Sequence, residues 1–88
     1  MTDNTDKPLD LASLRQRIDS IDSELLRLIS ERAECAAQVA QVKTADDPDA
    51  VFYRPEREAQ VLRRVMERNP GPLNGEEMAR LFREIMSA

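Results

Sequence analysis

The sequence predicts an all-α protein with three helices per chain, one long and two short, and a second copy of the chain beside it. Three observations carry that reading. Between Asp10 and about Thr44 the apolar residues recur at alternating spacings of three and four, the period of a helix that buries a stripe along its length. Two breaker-rich stretches, 45–50 and 69–72, divide the rest into two shorter periodic segments. No segment alternates apolar and polar residues as a half-buried strand does, and no internal repeat is present.

The long helix is built on a seam of Leu11, Leu14, Ile18, Ile21, Leu25, Leu28, Cys35, Val39 and Val42, in a span free of Gly and Pro. A second apolar row, Leu26, Ile29, Ala33, Ala36 and Ala40, lies beside it. At about 1.5 Å per residue the helix would be roughly 50 Å long. A compact domain of this size is only about 30 Å across, so the helix outreaches any globule the chain could build alone. The expectation is a homodimer in which long helices from two chains pack side by side.

Met1 to Leu9 is polar, carries Pro8 and reads as a flexible tail; residues 10–88 then form one helical domain. Asp10 or Ser13 can cap the long helix. The acidic linker Ala45–Ala50 and the segment Phe52-Tyr53-Arg54 lead to Pro55, a favoured first residue of a helix, with Glu56 and Glu58 in its first turn. This second helix should run to about Arg68, with Ala59, Val61, Leu62, Val65 and Met66 inward. Asn69-Pro70-Gly71-Pro72 stops it. Asn74 and Glu77 then form a variant capping box that opens a third helix bearing Met78, Leu81, Phe82, Ile85 and Met86 on one side. That helix meets no stop signal before Ala88 and is expected to be cut short there.

Composition narrows the function. The 88 residues carry a net charge of −4, with basic residues scattered among acidic ones, which argues against nucleic acid as a partner. Two Phe and one Tyr leave no platform for stacking bases. No apolar run reaches membrane-spanning length, and no signal-peptide pattern is present. A single Cys in a seam position points to a packing role in a reduced, cytoplasmic compartment, with a reactive thiol as the lesser reading. With one Cys and no His, neither a transition-metal site nor a His-dependent triad is expected.

One position breaks the seam. Where the pattern asks for an apolar residue stands Arg32, a charge that must find an anion or remain buried and unpaired. Lys43 follows eleven residues later, so on one helix the two point within about 20° of each other. The gap between them suits a small dicarboxylate. Arg57 and Glu58 can fold back over the same region through the linker, and Glu58 shares a face with Leu62 and Val65, so it too is expected to be a charge directed at the core. Each has a plainer reading. Arg32 could set register by pairing with Glu58, Lys43 could be a solvated helix-end cation, and Arg57 a surface residue. Arg15 lies seventeen residues, about 25 Å, before Arg32. It reaches the same small ligand only from an antiparallel partner helix; otherwise it covers the seam with its alkyl stem.

The run from Leu14 to Arg32, LRQRIDSIDSELLRLISER, resembles the "LR..ID.ID..L..L...R" opening of the all-helical class of chorismate mutases. Lys43 and Pro55-Glu56-Arg57-Glu58 fit the same pattern downstream. The likeness extends from Leu11 to Met86 and looks like the N-terminal mutase domain of bifunctional chorismate mutase–prephenate dehydratases. It implies an intertwined helical homodimer with two active sites and a place in aromatic amino-acid biosynthesis. It also implies roles. Arg15 would reach the partner's site and bind a carboxylate, and Arg32 would bind a carboxylate in its own. Lys43 would contact a carboxylate and the ether oxygen, Arg57 would add positive field, and Glu58 would accept from the ring hydroxyl. Two departures stand out. An acidic residue found in some members three positions before the Arg-Glu pair is Arg54 here. The family's third helix also supplies a Ser and a Gln or Glu from turns that lie beyond Ala88, which implies reduced activity.

The implied chemistry suits the inventory. Chorismate becomes prephenate by an intramolecular Claisen rearrangement that needs no cofactor, metal or nucleophile. It needs a dianion held in its reactive shape and cations where negative charge grows. Two alternatives remain at this point: isochorismate-pyruvate lyase activity on the same scaffold, and a non-enzymatic helical dimerisation module.

Overall fold

The computed structural model describes residues 9–51 and 54–87. Three helices account for most of them: α1 (Leu11–Asp46), α2 (Pro55–Arg68) and α3 (Gly75–Ser87). No strand occurs among the described residues. Most of the expected N-terminal tail, together with Phe52, Tyr53 and Ala88, lies outside them.

Local chemistry sets each helix boundary. Asp10 caps α1: its Oδ1 accepts from the Ser13 backbone N–H at 2.8 Å, and its Oδ2 from the Ser13 hydroxyl at 3.1 Å. Those two donors, the backbone one foremost, hold the Asp10 carboxyl below the usual carboxylate range. The helix ends two residues later than the periodicity suggested. Apolar spacing stops at Val42, but the backbone continues until the Asp47 N–H closes on the Lys43 carbonyl at 2.8 Å. Asp47 then organises the linker, accepting from Asp49 N–H through its side chain and from Ala50 N–H through its carbonyl.

α2 begins on Pro55, with Glu56 and Glu58 in the first turn and Arg68 in the last, each charge matching the helix dipole. The stop after it is held by Asn69. Its Nδ2 donates to the Leu73 carbonyl at 2.6 Å, and its Oδ1 accepts from Gly71 N–H at 3.2 Å. Gly71 sits at φ 80°, where a side chain would be strained. α3 opens on the reciprocal box read from the sequence. Glu77 N–H donates to Asn74 Oδ1 at 2.8 Å, and Asn74 N–H to Glu77 Oε1 at 3.3 Å.

The chain divides into two compact units between Glu34 and Cys35. In the unit ending at Glu34 every described residue is exposed except Arg32, which is half-buried. Ile18 keeps 55% of its surface exposed and Leu26 69%. Arg27 is clamped on this stretch between Glu24 and Glu31, both at 3.1 Å, a solvated arrangement of small energetic weight.

In the unit 35–88, α2 and α3 pack against each other. Ala79 of α3 is the buried residue of the described chain, at 2% exposure. The Met66 side chain lies 3.5 Å from where a Cβ on Gly75 would stand, so the start of α3 rests on it. Val61, Leu62 and Val65 on α2 are half-buried, as are Met78, Phe82, Ile85 and Met86 on α3. Ala59, Met66 and Leu81, expected to face inward, are exposed. Two short helices cover only the stripe where they meet, which leaves the flanks of each apolar face open.

Candidate active site

The five residues singled out from the sequence fall on both units. Arg15 and Arg32 belong to the unit ending at Glu34, on one uninterrupted helix. Their seventeen-residue separation therefore stands at about 25 Å along the axis, too far for one small ligand. Arg15 is exposed and Arg32 half-buried, alone in that property within its unit. Among the described residues the ion pairs are those of Arg27 with Glu24 and Glu31, and neither includes Arg32.

Lys43, Arg57 and Glu58 belong to the unit 35–88. Lys43 sits in the last turn of α1, where a cation suits the dipole, yet it is half-buried rather than fully solvated. A lysine can lay its stem against protein and keep its ammonium in water. Arg57 is exposed, and its Nη1 donates to Gln60 Oε1 at 2.7 Å, one turn along α2. That bond restrains the guanidinium without neutralising it. Gln60 went unremarked in the sequence; its i, i+3 spacing from Arg57 was the available signal.

Glu58 is also exposed, while Leu62 and Val65 on the same face are half-buried. Its backbone N–H closes the first turn of α2 on the Arg54 carbonyl at 3.0 Å. Arg54 itself is the N-cap residue, exposed and without a side-chain capping bond. Among the described residues of this unit, no hydrogen bond or ion pair joins Lys43, Arg57 and Glu58 to one another. A groove of about 470 Å³ does form between α2 and α3, lined by Met66, Asn74, Ala79, Arg80 and Arg83 among others, and none of the five residues lines it. The groove sets its two exposed arginines beside Glu76 and Glu77, so it is no more cationic than acidic, and the candidate set is the five residues above.

Chemically, the set consists of three guanidinium groups, one ammonium and one carboxylate, with no thiol or imidazole among them. Such groups bind anions and stabilise developing negative charge. The family model described as chorismate mutase type II matches residues 14–88, a span that includes all five. The chain belongs to that family.

Individual relatives agree with that family. A protein of Stutzerimonas stutzeri named bifunctional chorismate mutase/prephenate dehydratase is 67% identical over 81 residues, covering 89% of this chain and 22% of that protein. Its namesake in Pseudomonas aeruginosa is 62% identical over the same length, again 89% and 22%. The chain thus spans about a fifth of the length of these curated relatives. Among solved structures, the chorismate mutase of Thermus thermophilus (form I) is similar at 33% identity and a TM-score of 0.80, covering 86% of this chain and 92% of that one. The all-α fold is that of the helical chorismate mutases, and no helix of the described residues is long and apolar enough to cross a membrane.

Proposed function

We propose that the chain catalyses the rearrangement of chorismate to prephenate, in the cytoplasm, as a step of aromatic amino-acid biosynthesis. The observation that carries this is the family match over 14–88, which contains a half-buried arginine interrupting an apolar seam. In the rearrangement the ether C–O bond breaks as a new C–C bond forms within one molecule, so nothing is transferred to the protein. Arg32 holds one carboxylate of the dianion. Lys43 contacts a carboxylate and the ether oxygen, where negative charge grows in the transition state. Arg57 adds positive field, and Glu58 accepts from the ring hydroxyl, which fixes the ring for the reactive conformer.

The working unit is a homodimer of the domain 10–88, and Arg15 acts on the partner's substrate. Exposure of the α1 seam supports the dimer. Fully burying a Leu or Ile side chain is worth roughly 1.5–3 kcal/mol, so a seam of this length holds more driving force than a small domain's whole net stability. The axial distance from Arg15 to Arg32 supports the cross-chain role.

The test is direct. Purified protein is given chorismate or isochorismate, and products are separated. Prephenate from chorismate, with no pyruvate from isochorismate, is expected. A bicyclic transition-state analogue should raise the melting temperature, by linkage of binding to folding. Pyruvate release from isochorismate alone would assign the lyase activity, and inertness towards both substrates with no shift would leave a dimerisation module.

A further inference from the structure

We draw no further inference here: the strongest candidate, the groove between α2 and α3 walled by Met66, Asn74, Ala79, Arg80 and Arg83, joins a capped helix start to solvated arginines, and nothing in the structure shows what covers it.

Discussion

The stretch of α1 up to Glu34 and the unit 35–88 solve the same problem differently. In the second, α2 meets α3, Met66 seats against Gly75, and Ala79 is removed from solvent. In the first, an equally periodic stripe faces water, with Ile21 at 51% and Leu25 at 48% exposure. The periodicity that makes a residue "core" in sequence says that a partner is needed, not that it lies in the same chain. A polar substitution in the seam therefore tests association, while the same change under Ala79 would test the fold of one chain.

The largest effect should come from the seam itself. Leu25→Glu places a carboxylate where two helices are expected to meet, and an unpaired buried charge costs several kcal/mol. Sedimentation at micromolar concentration should show monomers, with mutase activity lost. An unchanged dimer would mean that the seam is not the interface and that the two regions do not differ as argued.

Next is Arg32, the one half-buried residue of its unit. Arg32→Ala should leave the dimer largely intact and weaken transition-state analogue binding by about 30-fold or more, since losing one charged hydrogen-bonding partner costs about 2–5 kcal/mol. Calorimetric titration reads the loss. Full binding by the variant would return Arg32 to a register-setting role, in which Arg32→Leu should tighten the dimer at no cost to activity.

Lys43→Ala sharpens the contrast from the other unit. Charge on the ether oxygen develops only during reaction, so turnover should fall by more than affinity does, with about 3–4 kcal/mol added to the barrier. Steady-state kinetics separate the two. A raised KM with unchanged kcat would make Lys43 a plain carboxylate binder.

Much of this is legible in the sequence. Pro55 and the Asn74–Glu77 box placed two helix starts, because capping is a local hydrogen-bond problem that few residues solve. The end of α1 was read short, since apolar spacing marks a buried face and not the last backbone bond, which Asp47 makes. Pattern alone turns Ala59, Met66 and Leu81 inward, and the structure leaves them exposed. A period identifies a face, but the width of what covers it depends on packing partners that a sequence does not display. The cations were legible as residue types, and Arg32 as an interruption of the seam. Their proposed convergence rests on the family likeness and on reach, because Arg15 and Arg32 can share a ligand only across two chains.

That convergence is the central claim, and refolding a mixture tests it most directly. Arg15→Ala and Arg32→Ala, each inactive alone, are unfolded together and refolded. In a mixed dimer the chain carrying Arg15→Ala keeps its own Arg32 and receives Arg15 from its partner, so that one site is complete while the other lacks both. Random pairing makes about half the dimers mixed, each with one working site of two, and roughly a quarter of the parental activity should return. A mixture that contains mixed dimers by mass and stays as inactive as its components would contradict the cross-chain site.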